Sequence, residues 1–239
     1  MTPAWAVERL ASCASTMDEA KVRARKGAPH GTVVVAEEQT GGRGTQGRGW
    51  HGPKGGLYLS LVLRGIQDPH LLTLALGNAV ADALEVAGVE PRLKWVNDVH
   101  VGGRKAAGIL VEAESTGSRI DFVVAGIGVN VNGHADAFPP GLNATTLEDE
   151  LACESCVPDL EALVLDKVGR WLAILADGRE SEVLEAFRAR DALAGAMVRV
   201  QSGRETTEGT AEGVDGQGRL LVREGGVQKA LSGGTVQIL

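Results

Sequence analysis

Gly41-Gly42-Arg43-Gly44-Thr45-Gln46-Gly47-Arg48-Gly49-Trp50 is followed by His51-Gly52-Pro53-Lys54-Gly55-Gly56 and then by Leu57-Tyr58-Leu59-Ser60-Leu61. What comes after the first glycines decides the fold. Gly42-x-Gly44-x-x-Gly47 has the spacing of a dinucleotide fingerprint, but that fingerprint requires a helix opening directly behind it. The residues from Trp50 to Gly56 cannot start a helix, and Leu57–Leu61 reads as a strand. The phosphate loop of P-loop enzymes needs Gly-Lys-Ser/Thr, and that tripeptide does not occur. The fingerprint match is therefore weak and stands in the wrong context. What remains is a loop of five glycines, two arginines and one tryptophan within ten residues. Glycine lets backbone approach a ligand closely, arginine matches phosphate or carboxylate, and the indole offers a flat face to a ring. This composition describes a loop that closes over an anionic, ring-bearing ligand. A purely structural reading is a surface turn.

Strands and helices can be placed outward from the loop. Thr32–Ala36 is a buried strand leading into it, and Leu57–Leu63 a second strand behind it. Before them, Ser15-Thr16-Met17-Asp18-Glu19 starts a helix, with Thr16 and Glu19 at capping-box spacing and Gly27 at its C-terminal end. Asp68-Pro69 predicts the start of another helix, running through Leu72, Leu76, Ala79, Val80 and Leu84 to Gly88. Arg92–Val101 and Arg104–Glu112, around Gly102-Gly103, read as a β-hairpin. Ile120–Val131 is a further long strand. Helical spacing returns from Leu160 to Leu175 and from Glu182 to Arg190. After Gly195, five short β runs (Met197–Val200, Gly209–Gly213, Arg219–Val222, Val227–Leu231, Thr235–Leu239) separated by glycine turns predict a small β-barrel. The expected division is 1–192 and 193–239.

Composition narrows the function. A net charge of −7 argues against non-specific nucleic-acid binding. No apolar run approaches the length of a membrane span, and Met1-Thr2-Pro3-Ala4-Trp5 has no signal-peptide character, so the cytoplasm is the expected location. Cys153 and Cys156 form a single Cys-x-x-Cys and Cys13 stands alone. His30, His51, His70, His100 and His134 show no metal-ligand spacing, so no metal site is expected among side chains. Gly-x-Ser-x-Gly and His-Glu-x-x-His are absent.

Two clusters carry chemistry. Lys94-Trp95-Val96-Asn97-Asp98 reads as one strand bearing three polar groups and an aromatic. The hairpin then brings Asp98 near Lys105, partly burying both, and partly buried charges are paired or functional. The alternative is a solvated edge strand. Gly126-Ile127-Gly128-Val129-Asn130-Val131-Asn132 could meet a ligand's polar groups at a strand end, or its glycines could simply allow close packing.

The glycine loop, Lys94–Asp98, Gly103–Glu112 and Gly126–Asn132 stand in this order, and together they resemble bacterial biotin–protein ligases over roughly residues 10–239. The resemblance implies an α+β fold: a mixed β-sheet with flanking helices of the class II tRNA synthetase/biotin synthetase type, plus a C-terminal SH3-like β-barrel. It implies a short form without an N-terminal DNA-binding domain, since only about thirty residues precede Thr32. It implies that Ser15, Thr16, Met17, Gln39, Arg43, Gly44, Thr45 and Lys105 meet biotin. ATP would meet Arg43, Arg48, Trp50, Asn97, Lys105 and Asn130. Lys105, Arg43 and Asp98 would be catalytic. Mg²⁺ would accompany ATP, and the partner would be the biotin carboxyl carrier domain of a carboxylase, with no nucleic acid or membrane and a monomer or homodimer. Three positions depart from the family pattern: Thr45 stands for a second arginine, Val96 for a proline, Met17 for an asparagine.

The implied chemistry suits these residues. Joining a carboxylate to the α-phosphate of ATP brings two anions together, which requires fixed cations and a metal ion. The mixed anhydride is water-labile, which requires a closing loop. The acceptor lysine must lose a proton, which Asp98 could take. Two rivals share the pattern. A lipoate-type ligase of the same fold would be stabilised by lipoate rather than biotin. A non-catalytic biotin- or nucleotide-binding module would release no pyrophosphate.

Overall fold

Alternation along three adjacent strands sets the two faces of the main sheet. The computed structural model describes residues 4–66, 69, 71–139 and 141–239. Val33, Val35, Leu57, Leu59, Leu61, Leu63, Val123, Ala125, Ile127 and Val129 all point into one large core, whereas Val34, Val62, Phe122 and Val124 join a smaller one on the opposite face. That period of two is the signature of a sheet covered on both sides.

The chain runs β1 (Ala6–Leu10), α1 (Thr16–Arg25), β2 (Thr32–Ala36), β3 (Gln39–Arg43), β4 (Gly49–Gly52), β5 (Leu57–Leu63), α2 (Leu72–Val86), β6 (Pro91–Lys94), β7 (Asp98–Val101), β8 (Arg104–Thr116) and β9 (Arg119–Val129). Then come α3 (Leu147–Leu151), α4 (Val157–Ala176), α5 (Glu180–Ala189) and β10 (Met197–Ser202), β11 (Glu205–Val214), β12 (Leu220–Glu224), β13 (Val227–Leu231) and β14 (Thr235–Ile238). The main sheet has seven strands in the order β1-β2-β5-β9-β8-β7-β6. Only β1 and β2 are parallel; every other neighbouring pair is antiparallel. Helix α1 covers the small core, and α2, α4 and α5 pack over the large one. This mixed sheet with flanking helices is the expected architecture. No helix among the described residues is long and apolar enough to cross a membrane.

Several local expectations need correction. Helix α1 begins one residue early: Ser15 is the N-cap, without a side-chain capping bond, and Thr16 is already helical. The capping box fails because Gln39 does its work, its Oε1 accepting the Thr16 N–H at 2.8 Å. Gly27, at φ 91°, does end the helix in the left-handed conformation foreseen for it. Asp68 lies outside the described residues, and α2 starts at Leu72, beyond Pro69. The run Arg92–Val101 is not one strand. It folds back at Trp95-Val96-Asn97, so Lys94 pairs with Asp98 in the β6–β7 ladder, and the Trp95–Val96 peptide is cis. The glycine loop is itself a β3–β4 hairpin around a 3₁₀ turn at Thr45–Gly47.

The C-terminal unit is a five-stranded antiparallel sheet in the order β13-β12-β11-β10-β14. Among the described residues its outer strands β13 and β14 do not pair with each other, so the ladder is open and the SH3-like character lies in strand order and packing. Its inward residues Val198, Val200, Ala211, Val214, Leu220 and Val222 continue the large core. Arg188 in the last turn of α5 donates to Val214 O at 2.8 Å, and Trp95 Nε1 donates to Gly218 O at 2.9 Å.

Asp82 ties the helical layer together. Its carboxylate accepts from Trp171 Nε1 on α4 and from Arg190 after α5, both at 2.8 Å, while Arg190 Nε also reaches Glu85 Oε1 at 2.8 Å. The hydrogen bond from Arg190 holds the Glu85 carboxyl below its ordinary range. A carboxyl so depressed stabilises the fold above its unfolded pKa, and that contribution is lost as pH falls through the lower folded value. Replacing Arg190 by methionine should therefore cost about 1–2 kcal/mol at neutral pH. The deficit should shrink below about pH 4 as Glu85 protonates. Urea unfolding across pH checks this; a deficit that stays constant into acid would mean the arginine acts through packing alone.

Candidate active site

A cleft with a cavity volume of about 230 Å³ opens on the α1 face of the main sheet. Its floor has almost no side chains. Gly108 pairs with Gly128 across β8–β9, and Gly126 follows the same face two residues earlier. The missing Cβ atoms make room for two side chains. A Cβ at Gly126 would lie 2.7 Å from Met17 Sδ, and one at Gly128 would lie 2.6 Å from the Trp50 indole. A Cβ at Gly108 would meet the same indole at 2.9 Å. Of the two sequence readings of Gly126–Asn132, close packing holds for these glycines.

All thirteen site residues expected from the sequence line this one cleft: Ser15, Thr16, Met17, Gln39, Arg43, Gly44, Thr45, Arg48, Trp50, Asn97, Asp98, Lys105 and Asn130. They arrive from four directions. Helix α1 supplies Thr16 and Met17, with Ser15 at its cap. Ser60 Oγ, buried on β5, donates to Thr16 Oγ1 at 2.9 Å, and Thr16 Oγ1 donates on to Gln39 Oε1 at 3.1 Å. This chain fixes the helix start against β3. The Ser15 hydroxyl is left fully buried with no hydrogen-bond partner among the described residues. A buried polar atom without a partner is costly, and here it faces a cavity that a ligand can fill.

The β3–β4 hairpin supplies the cations. Arg43 pairs with Asp18 at 2.9 Å. Arg48 bends back onto Thr45, its Nη2 donating to Thr45 Oγ1 at 3.1 Å and its Nε to the Thr45 carbonyl at 3.3 Å. Trp50 drops its ring onto the glycine floor, 5.3 Å beneath Lys105 Nζ, with its Nε1 unpartnered among the described residues.

The opposite wall is better fixed. Lys105 Nζ meets Asp98 Oδ1 at 2.6 Å, as the hairpin spacing foretold. Lys105 N donates to Asn143 O, and Lys105 O accepts from Asn130 Nδ2 at 3.3 Å, which also donates to Thr145 O at 3.0 Å. Asn97 Nδ2 donates to Ile109 O at 3.1 Å. Both asparagines thus spend amide hydrogens on the backbone beside the cleft. Lys94 stands close by. Burial holds its ammonium below the usual lysine range, with Lys105 and Arg48 adding to that and Asp98 opposing it. Trp95 turns away, buried against the C-terminal unit.

Sequence reading missed the far wall. Phe138, Leu142 and Ala144 also line the cleft, with Phe138 edge-on to His51 at 5.8 Å. No motif marks them. Asp149 brings them there, accepting from Ala135 N at 2.8 Å and contacting His134 Nδ1 at 2.9 Å. Ser60 was equally invisible, being one polar residue in an apolar strand.

Comparison with known proteins bears on this geometry. Residues 10–130 match the Biotin/lipoate A/B protein ligase family, and residues 194–239 match the Biotin protein ligase C terminal domain. The bifunctional ligase/repressor BirA of Bacillus spizizenii is 42% identical over 140 residues, 56% of this chain but only 43% of that protein. The biotin–[acetyl-CoA-carboxylase] ligase of Mycobacterium tuberculosis is 34% identical over 95% of this chain and 86% of its own length. Among solved structures, biotin protein ligase from Aquifex aeolicus in complex with biotin and ATP superposes with a TM-score of 0.87 at 26% identity, covering 98% of this chain and 99% of that one.

The packing of Trp50 on Gly128 is open to test. Gly128→Ala should push the indole off the floor and speed tryptic cleavage at Arg48 several-fold. In a Trp50→Ala background the same substitution should have little effect, because the two residues act through one contact. Equal acceleration in both backgrounds would show that Gly128 acts elsewhere.

Proposed function

The chain belongs to the biotin/lipoate A/B protein ligase family, and on that premise we propose that it attaches biotin to a lysine of a biotin carboxyl carrier domain. The reaction uses ATP, passes through biotinyl-5′-adenylate and yields AMP and pyrophosphate. The observation that carries this reading is the convergence of Lys105, Arg43 and Arg48 on a cleft with a glycine floor. One end of that cleft is fit for an apolar bicyclic ring with a polar edge, and the other for two anions. The similarity to named biotin ligases, one of them solved with biotin and ATP, supports the choice of substrates.

In the first step a biotin carboxylate oxygen attacks the α-phosphorus, and the bond to the pyrophosphate oxygen breaks. Lys105 lies between carboxylate and α-phosphate and offsets their repulsion, which is where a fixed cation lowers the barrier most. Arg43 leaves Asp18 to bind the same anions, and an exposed ion pair is weak enough to be exchanged. Arg48, Trp50, Asn97 and Asn130 serve the nucleotide; for Asn130 this includes fixing the Lys105 backbone. Ser15, Thr16, Met17, Gln39, Gly44 and Thr45 serve biotin, with the orphaned Ser15 hydroxyl as a partner for its ureido group. In the second step the acceptor amine attacks the acyl carbon and AMP leaves. Asp98 takes the amine proton, its hold on Lys105 having been loosened by the anions.

Among the described residues no three His, Cys, Asp or Glu side chains cluster around a metal position. Mg²⁺ would enter as a companion of ATP, and Asp98 is the cleft carboxylate that would help to hold it. When bound it neutralises charge on the leaving pyrophosphate. This catalytic work falls to residues 1–192, with 193–239 as a separate C-terminal unit, and the cytoplasm is where ATP, biotin and the carrier would be met.

Mass spectrometry of a biotin carboxyl carrier domain incubated with this protein, ATP and biotin tests the reading. The carrier should gain biotin's mass, and lipoate should not substitute. A gain with lipoate only would assign the site to the lipoate branch, and pyrophosphate release without carrier modification would remove the carrier. Lys105→Ala should slow adenylate formation by at least about 100-fold. Turnover at the wild-type rate in that variant would take Lys105 away from the reacting centre.

A further inference from the structure

The C-terminal unit touches the cleft at both walls. At one wall Trp95, in the turn that carries Asn97 and Asp98, donates its indole N–H to Gly218 O. At the other, Thr235 Oγ1 on β14 donates to Gln46 Oε1 at 2.6 Å, across 189 residues of sequence. Gln46 sits at the tip of the glycine loop with φ 57° and ψ 35°. Among the described residues only Ala152 shares a positive φ without being glycine. Glycine adopts this left-handed conformation more easily than any other residue. In a loop rich in glycine, what glutamine adds at this position is the reach of its amide, and that amide ends on Thr235.

We propose that Thr235 is a positioning residue for the anion-binding loop: through Gln46, its hydroxyl clamps the Thr45–Gly47 turn to the C-terminal unit. The proposal rests on the ligase reading of the cleft and names what aims its loop. The mechanical path is short. The turn held at Gln46 is closed by Gly44 N–H donating to Arg48 O at 2.7 Å, and the Arg48 guanidinium folds back onto Thr45. Pairing of Gly42 with Trp50 then sets where the indole lies. Fixing Gln46 therefore fixes both Arg48 and Trp50 toward the bound nucleotide, and slows escape of the adenylate. The base of β3 is bonded to Cys13, Ala14 and Thr16, and beyond it the hairpin is also steadied by the exposed Arg43–Asp18 pair and by the indole on its glycine floor.

Two readouts on the full chain test the clamp. Without ligand, trypsin cleavage at Arg48 reports how often the tip is free. With biotin and ATP, the rate at which adenylate leaves reports how well the closed loop holds. Thr235→Val keeps the shape and removes the hydroxyl, and it should raise both rates by about two- to tenfold, the net worth of one hydrogen bond. Thr235→Ser, which keeps the hydroxyl, should stay near wild type. Gln46→Ala should match Thr235→Val, and the double variant should be no worse than the more severe single one, since both remove the same bond. Wild-type rates in Thr235→Val, or additive effects in the double variant, would overturn the clamp. Equal acceleration by Thr235→Val and Thr235→Ser together with a lower melting temperature would also overturn it, because the residue would then be merely structural. If the wild-type protein forms no adenylate, the ligase reading fails, and the tryptic rates alone then decide the clamp.

Discussion

Three missing side chains create the site. Gly108, Gly126 and Gly128 lie next to one another on the α1 face of β8 and β9, where the period of the sheet would otherwise send three side chains into the small core. Any Cβ there would collide with what now fills the space. Because the floor is bare, Met17 can seal one end and Trp50 can lie flat across the other. Because Trp50 lies flat, the β3–β4 hairpin is drawn over the sheet and its arginines overhang the cleft. A sheet with ordinary alternation at these positions would be a sound sheet with no room for a ligand. The cavity is thus a local exception to the hydrophobic alternation that makes the rest of the fold.

The cations around the cleft are already engaged. Arg43 is with Asp18, Lys105 with Asp98, and Arg48 with Thr45. Concentrated positive charge would otherwise repel itself across so small a space; at Lys94 burial is the main cause of the depressed ammonium, and Lys105 and Arg48 add to it. Paired in this way the cations are held near their working positions at low cost. Partly exposed pairs are worth little, so an incoming phosphate or carboxylate can take the place of each acidic partner. In the proposed reaction, exchange at Lys105 would release Asp98 beside the reacting centre just as a proton acceptor is needed. Thr45 fits the same pattern. Standing where the family resemblance would place an arginine, it adds no charge of its own but holds Arg48, to which the proposed reading gives the phosphate contact.

Strands β2 and β5 and helix α2 were legible because their apolar residues follow a single clean period. Two features broke that reading. Trp95-Val96-Asn97 contains strand-forming residues and no glycine or aspartate–glycine step, so nothing local announces the turn that splits β6 from β7; it is fixed by Trp95 packing on the C-terminal unit. Strand β1, an edge strand with charged residues at Glu8 and Arg9, has no buried alternation and was unseen. It is held by parallel pairing to β2 and by the Arg9–Glu161 contact with α4. At the site, the residues set in contiguous motifs were readable from their order along the chain. Phe138, Leu142 and Ala144 were not, because they reach the cleft only through contacts made across the fold.

The two walls differ in stiffness, and this divides their labour. The Lys105–Asp98 wall is built on the central strands, and its backbone is pinned by Asn130, Asn143 and Thr145. It is organised before any ligand arrives, which suits the residues that must meet developing charge, since stabilisation there depends on dipoles and charges that need not move. The hairpin wall has two strands, a glycine-rich tip and the exposed Arg43–Asp18 pair, which suits a part that in the proposed reaction opens for substrates and closes on a water-labile intermediate. A loop soft enough to open loses aim unless something rigid steadies its tip. The C-terminal sheet shares the large core with the helical layer, so it moves with the stiff wall while touching the soft one at Gln46. It can therefore hand the rigidity of the core to the loop without thickening the loop itself.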